Sequence, residues 1–560
     1  MTRKILIVAA VVQVVLTGCS SGDINIQPST TVTDSNNTIV TGGGGNANDS
    51  CASYVNSGGQ TIQGVSDGTN CTYAQSFVGA GNNLDVDLTI PALPNGGVHI
   101  FEGSLFVGQS YRTNADLAAA GIARGGDGPV LTIEAGATLA FQTSKDFLII
   151  NRGSQIFAVG TETAPITFTS VSDVNGTVGP QDVQQWGGMV INGFAVTNKC
   201  AYTGTRGQAG FAASGECHVD AEGAAGLDES QYGGDNDEDS SGRLEYVLVK
   251  HTGATVGNGD ELNGISFGAV GSNTVVSNLE AYSTFDDGIE MFGGSVNIDN
   301  YVAVYVRDDS IDIDEGYNGT ITNALVIQSA TDGNQCIEAD GIGSFDSLTA
   351  QEVEDKIAQN LNSRPTINNL TCIISANGAA TATHDPGAGW RFREGLFPTI
   401  NNALLISSFG ANDQASGNDN ACLRIDNRSQ QAALDGDLQL NSVIYACQEN
   451  ARGQAIGAFA DEQAFAESIG NIFATVADGV AKSPTTVNDA DLQLLEGTLP
   501  IYSIDYGTSQ VDGAAPGVGS TPTSGSFLGG LSLGQTDWTA NWTYGIHDGK
   551  RGEALWFETL

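Results

Sequence analysis

From about residue 261 the chain alternates short apolar runs with Gly, Asn, Asp and Ser, and it repeats itself. Asn263-Gly264-Ile265-Ser266-Phe267 is followed by Asp287-Gly288-Ile289-Glu290-Met291, then Asp309-Ser310-Ile311-Asp312-Ile313 and Asn334-Gln335-Cys336-Ile337-Glu338. The central isoleucines recur every 22 to 26 residues. A second phrase, apolar-x-Asn followed by an apolar run, places Asn278, Asn300, Asn323, Asn369 and Asn402 on a similar period. Repeats of this length mark a solenoid. Runs of Ile, Val, Thr, Tyr and Phe between Gly, Asn and Asp are strands and turns. Twenty-odd residues leave no room for two helices but suit one coil of about three short strands. The pattern therefore predicts an all-β parallel β-helix. Ile265, Ile289, Ile311 and Ile337 form one interior column, and the asparagines form a second, inward-facing ladder that satisfies backbone groups of its own and the next coil.

The same style runs from residue 126 to about 450. Residues 51–125 read as an N-terminal cap region with a short helix over 114–123. Residues 199–234 form a Gly/Ala-rich excursion, the kind of place where a regular scaffold carries function. A helical insert is expected over 348–362. After residue 450 the repeat fades into a C-terminal cap region in which 462–480 and 488–495 look helical. Trp538, Trp542 and Trp556 cluster at the end, either as a cap packed on the last coil or as a sugar-stacking platform.

The chain starts with Arg3 and Lys4 and an apolar stretch, residues 5–15, too short to span a bilayer. Leu16-Thr17-Gly18-Cys19 resembles a bacterial lipobox. That resemblance implies cleavage after residue 18, diacylation of Cys19 and, with Ser20 next, sorting to the outer membrane. Lipidation with two or more acyl chains is a stable anchor. Residues 19–50, rich in Ser, Thr, Asn and Gly, read as a flexible tether.

An oxidising compartment favours disulfides. The eight remaining cysteines fall into sequence-local couples: Cys51 with Cys71, Cys200 with Cys217, Cys336 with Cys372, and Cys422 with Cys447. No Cys-x-x-Cys occurs, which argues against zinc ribbons and thioredoxin chemistry.

Composition sharpens the picture. With 64 acidic and 21 basic side chains the net charge is −43, so nucleic acid is not an expected partner. The acids concentrate in the repeat. Asp286, Asp287 and Glu290 lie one period before Asp308, Asp309 and Asp312, with Asp314, Glu315, Asp332, Glu338 and Asp340 nearby. Stacked coils bring residues one period apart to about 4.8 Å. Carboxylates that close need a cation, a basic partner or shared protons. Calcium, with six to eight oxygen ligands, fits this set. A solvated acidic ladder and carboxylate catalysis are the other two readings. Asp235, Asp237 and Asp239, before Gly242, resemble the start of a calcium loop, but Ser240 and Tyr246 occupy the places where an EF-hand needs Gly and Glu. Arg391 and Arg393 either bridge a neighbouring acidic coil or hold an anionic ligand.

Several phrases resemble a family of bacterial envelope β-helix proteins, both lipoproteins and secreted proteins. They are Leu131-Thr132-Ile133-Glu134-Ala135-Gly136, Asn151-Arg152-Gly153-Ser154, Pro165-Ile166-Thr167-Phe168-Thr169-Ser170, Trp186-Gly187-Gly188, Tyr232-Gly233-Gly234, Glu261-Leu262-Asn263-Gly264, the run from Asp286 to Gly294, and Trp538-Thr539. The resemblance spans about 125–345 plus the tail. It implies a right-handed parallel β-helix and no particular activity. The function expected from the sequence is a lipid-anchored, calcium-stabilised binding or structural protein of the outer membrane that contacts a glycan or protein partner. The alternative is a calcium-dependent polysaccharide lyase or glycoside hydrolase. The hydrolase pattern of Gly-His-Gly with Arg-x-Lys is absent.

Overall fold

In the computed structural model, the repeats pair in parallel and in register. The described residues are 51–79, 83–122, 124–221, 230–255, 261–375, 387–406, 421–446, 451–477, 480–482, 493–495, 501–505, 527–531 and 536–559. The signal, Cys19 and the tether lie outside them, as does Cys447. No helix among the described residues is long and apolar enough to cross a membrane.

One sheet has nine strands, stacked from Leu105–Val107 at one end to Leu423–Ile425 at the other. Its inward column reads Leu148, Met189, Ile265, Ile289, Ile311, Ile337, Trp390, Leu423, and every member is essentially buried. The isoleucine column expected from the period is therefore present. A second, larger sheet carries the other strands of each coil. There Ile298, Ile321, Ile367, Ile400 and Leu440 stack. Beside them Tyr301, Ala324, Leu370, Ala403 and Val443 alternate large and small, so the layers interdigitate. In the first coils aromatic rings do the same work: Tyr73 on Phe101 at 4.6 Å and Phe141 on Trp186 at 4.6 Å between centroids.

The asparagines bend the second sheet. Asn278, Asn300, Asn323, Asn369 and Asn402 all have φ between 54° and 62°, the left-handed region that Asn tolerates better than most residues. Each breaks the strand between two interior residues, as Asn300 does between Ile298 and Tyr301. The ladder differs from expectation in its direction and its partners. Asn300, Asn323 and Asn369 are half-buried rather than enclosed in the core. The bonds run from amide to amide: Asn323 to Asn300 and Asn369 to Asn323, both 2.9 Å, and Asn402 to Asn369, 2.7 Å. At the top of the ladder Asn402 meets Gly529.

Gly529 belongs to the C-terminal segment, whose placement was also not foreseen. Instead of sitting on the last coil, Leu528, Leu531, Trp542, Ile546, Leu555 and Phe557 lie along the outer face of the second sheet, against Tyr282, Leu325, Ile373 and Leu404. The outward side chains of those strands are aliphatic, so this face needs covering just as the inner one does. Trp542 is buried, while the indole N–H groups of Trp538 and Trp556 donate to the carbonyls of Gly530 and Gln328. The tryptophans thus act in a cap, packed on the sheet's outer face. Parallel pairing also begins earlier than residue 126, where Cys71–Tyr73 joins His99–Phe101. The helix expected over 462–480 is only Glu462–Ser468. Ile472–Ala477 continues the parallel ladder, and Gln493–Leu495 is a strand.

Three expected disulfides are formed: Cys51–Cys71, Cys200–Cys217 and Cys336–Cys372. Cys422 is also disulfide-bonded. Cys336 and Cys372 are fully buried, so their bridge crosses the core beneath the insert, whose helix Ala350–Ala358 is closed by a Thr349/Glu352 capping box.

Truncating one interior layer tests this stacking. Ile289→Ala removes a fully buried side chain and is expected to cost about 2–5 kcal/mol in a denaturant melt. Val275→Ala, at a 40% exposed position, should change stability by less than about 0.5 kcal/mol. Equal effects would contradict the interior column.

Candidate functional site

The acidic residues lie on the outer side of the nine-stranded sheet, in two adjoining columns set by the strand register. The first consists of the residues that open each strand. Asn263 Oδ1 accepts the Asp287 N–H at 3.2 Å, Asp287 Oδ1 accepts the Asp309 N–H at 2.9 Å, and Asp309 Oδ1 accepts the Gln335 N–H at 2.6 Å. Each side chain thus satisfies the backbone one coil further on, where no strand partner is available. This explains why the repeat opens with Asn or Asp. It also means that Asp287 and Asp309 are nearly enclosed.

The second column is outward-facing within the strands: Ser266, Glu290, Asp312, Glu338, Arg391, Arg424. Glu290 accepts a hydrogen bond from Asn263 Nδ2 at 2.5 Å. The upper acids meet arginines. Arg391 Nη1 lies 2.7 Å from Glu338 and Arg393 Nη2 lies 2.8 Å from it, while Arg393 Nε also contacts Asp340. The bridging role for Arg391 and Arg393 is therefore the one observed. The lower acids crowd one another. Carboxylate oxygens of Asp287, Glu290 and Asp312 all lie within 4.8 Å of one another, and so do those of Asp286, Asp287 and Asp308.

The electrostatics follow from this crowding. Burial first, and then neighbouring carboxylates, hold Asp287, Asp309, Asp312 and Asp314 well above the ordinary carboxylate range. For Asp287 the neighbours are Asp286, Asp312, Glu290 and Asp309. Glu394, half-buried beside Asp340, is pushed up to about 7. Such a group of oxygens can bind a divalent cation or share protons among themselves. Not every acid of the repeat joins it. Glu315 faces the excursion instead, accepting the hydroxyls of Thr197 and Tyr232, both at 2.7 Å, and Asp332 is half-buried in the connection before Gln335, its N–H donated to Ser329 Oγ.

Asp235, Asp237 and Asp239 do not converge. Asp235 pairs with Arg124 and accepts the Ala213 N–H. Asp237 takes both forks of Arg206, each at 2.7 Å. Asp239 accepts the Phe194 N–H at 2.8 Å. The spacing that resembled a calcium loop instead points its carboxylates at separate partners, Asp235 and Asp237 at the excursion and Asp239 at the scaffold backbone. The sequence reading missed Asn263, Ser266 and Gln335, although they occupy ladder positions given by the period alone.

With this geometry the match found for the chain has a physical basis. Residues 110–483, more than half of the sequence, match the pectate-lyase like β-helix domain. The chain belongs to this family. No curated protein and no solved structure matches it. Family membership is compatible with a parallel β-helix that binds and with one that catalyses, so the choice between them rests on the site.

The raised carboxylates give a pH signature. Their folded pKa lies above the unfolded value of about 4, so the native state binds more protons and loses stability as pH rises from there toward neutrality. In EDTA, Asp309→Asn is expected to raise the melting temperature at pH 7.5 and to have less effect at pH 5. His99 and His218, which burial holds low, oppose this trend in acid but are common to both proteins. A variant less stable than the parent at pH 7.5 would contradict the crowding.

Proposed function

We propose that this member of the pectate-lyase-like β-helix family is a calcium-stabilised binding protein of the bacterial envelope, lipid-anchored at the outer membrane through Cys19, whose acidic face meets a glycan or protein partner. The convergence of Asp287, Glu290 and Asp312 on one point between two coils carries the calcium part. A hard cation with six to eight oxygen ligands suits carboxylates, backbone carbonyls and water in flexible geometry. It would relieve the mutual repulsion of these carboxylates. Asp286 and Asp308 would supply the rim, with Asp309 and Asp312 on the second coil.

Two features favour binding over catalysis. Asp287 and Asp309 each commit an oxygen to the backbone of the next coil. Arg391 and Arg393 are held in ion pairs with Glu338 and Asp340, which leaves neither poised as a mobile base. The second reading, a calcium-dependent polysaccharide lyase or glycoside hydrolase, draws on the family match and on protonated carboxyls able to act as general acids. Neither reading involves nucleic acid.

Calcium at 100 times its Kd should stabilise the protein by about 2.7 kcal/mol, seen as a rise in melting temperature over EDTA that Asp287→Asn/Asp312→Asn removes. No shift would exclude the metal from both readings. A screen of acidic and neutral polysaccharides should show retention without cleavage, and turnover lost in Asp309→Asn would establish the enzyme instead. Cys19→Ser should release the protein from membranes, and unchanged retention would refute the anchor.

A further inference from the structure

Where the C-terminal segment crosses the outer face of the second sheet, it covers one acid. Glu280 lies in the strand Val275–Tyr282, paired with Leu248 of the coil before and Val302 of the coil after, both members of the apolar outer layer. It is fully enclosed. Oε2 accepts the Tyr544 N–H at 2.9 Å, and Oε1 has no hydrogen-bond partner among the described residues. The segment rests directly on the sheet here. Tyr544 meets Tyr282 edge-on, 4.9 Å between centroids. Trp542 meets Tyr246 in the same way at 5.9 Å. Gly545, at φ 84°, sits where a Cβ would strike the Tyr282 ring.

The basic groups around Glu280 are committed to other partners. Lys250 Nζ donates to Asp173 at 2.8 Å and lies 4.0 Å from the centre of the Tyr544 ring. His251 approaches the same Asp173 at 3.5 Å and packs against Tyr282. Tyr305, one coil on, packs against the other side of that layer. On the segment itself, Lys550 donates to the Asn541 carbonyl, Arg551 pairs with Asp548, and His547 lies 3.6 Å from Asp537. A carboxylate enclosed without a bonded cation is costly, and the neutral acid much less so. Burial pushes Glu280 up to about 8, against a smaller opposite pull from the Tyr544 N–H, Lys250 and Lys550. Both flanks of the segment are held by groups that do not titrate. Gly529 and Gly530 bond Asn402 and Thr371, and the Trp556 indole donates to the Gln328 carbonyl. The stretch between these anchors can therefore lift without the ends letting go.

We propose that residues 538–550 form a proton-controlled latch, closed over Tyr246 and Tyr282 while Glu280 is neutral and lifted from them when Glu280 ionises. The closed state holds the proton, and the open state, where Glu280 is hydrated, gives it up above a pH of about 4.3. Opening therefore grows as pH rises from there to about 8, by up to about ten-fold per pH unit, and levels off beyond. The latch lies on the second sheet, apart from the acidic column, and requires no metal.

Hydrogen exchange of the full chain in EDTA, read by mass spectrometry at pH 6, 7, 8 and 9, tests it. Comparing the parent with Glu280→Gln at each pH cancels the chemical exchange rate and the titration of groups common to both. In peptides covering 538–550 the parent should exchange progressively faster than the variant, the ratio growing at least ten-fold between pH 6 and 8 and then holding to pH 9. Peptides covering 289–292 and 311–314, in the nine-stranded sheet, should keep one ratio throughout. A ratio over 538–550 that stays within two-fold from pH 6 to 9 would overturn the latch, and so would an equal change in the nine-stranded sheet. Should Glu280→Gln not fold, Glu280→Leu, which also carries no charge, is read in the same way.

Discussion

Parallel pairing of consecutive coils, each in register with the next, is the constraint on which the rest of the structure depends. It places every side chain about 4.8 Å from its counterpart one coil away. For apolar residues that proximity is favourable, and Leu148, Met189, Ile265, Ile289 and Ile311 become one continuous interior. For amides it is also favourable, because Asn has both a donor and an acceptor and can be passed from coil to coil. For carboxylates it is unfavourable, and the protein reduces the cost in two ways. At the strand openings Asp287 and Asp309 gain backbone N–H donors. Further up, arginines face Glu338 and Asp340. Around Asp287, Glu290 and Asp312 carboxylate oxygens lie within 4.8 Å of one another, and that crowding gives the site its chemistry.

Along that face the character changes steadily. The outward positions run from Ile149 and Val190, covered by Tyr232 and Leu262, through Ser266 to Glu290 and Asp312, and then to Arg391 and Arg424. An apolar floor, an acidic middle and a basic end lie on one straight ladder. Such an ordered gradient gives a partner a direction to align with, beyond a mere preference for charge.

How much of this was legible in the sequence depends on distance. The period is a local property repeated many times, so it exposed the fold, the isoleucine column and the crowding of Asp287 on Asp309. Sequence-local cysteines were legible for the same reason. The outer layer was not. Asn323-Ala324-Leu325-Val326-Ile327 reads as one buried strand whether its outer face meets a neighbour or solvent, and nothing nearby says that Leu528 and Trp542 cover it. The ladder's direction was missed because a left-handed bend turns Asn300 outward between two inward residues, which alternation alone does not reveal. Ile472–Ala477 was misjudged because its coil departs from the repeat. Arg152 sits in the phrase Asn151-Arg152-Gly153-Ser154, but its setting is assembled from residues 111, 194, 217, 218 and 233, all far from it in sequence.

The most direct test of the central claim, that stacked coils gather carboxylates around a cation, is a crystal structure from crystals grown with calcium, with anomalous data collected. The account places an anomalous peak between the coils, with oxygens of Asp287 and Asp312 at about 2.3–2.6 Å. Ordered coils with no peak there, and with these carboxylates turned apart into solvent, would contradict it.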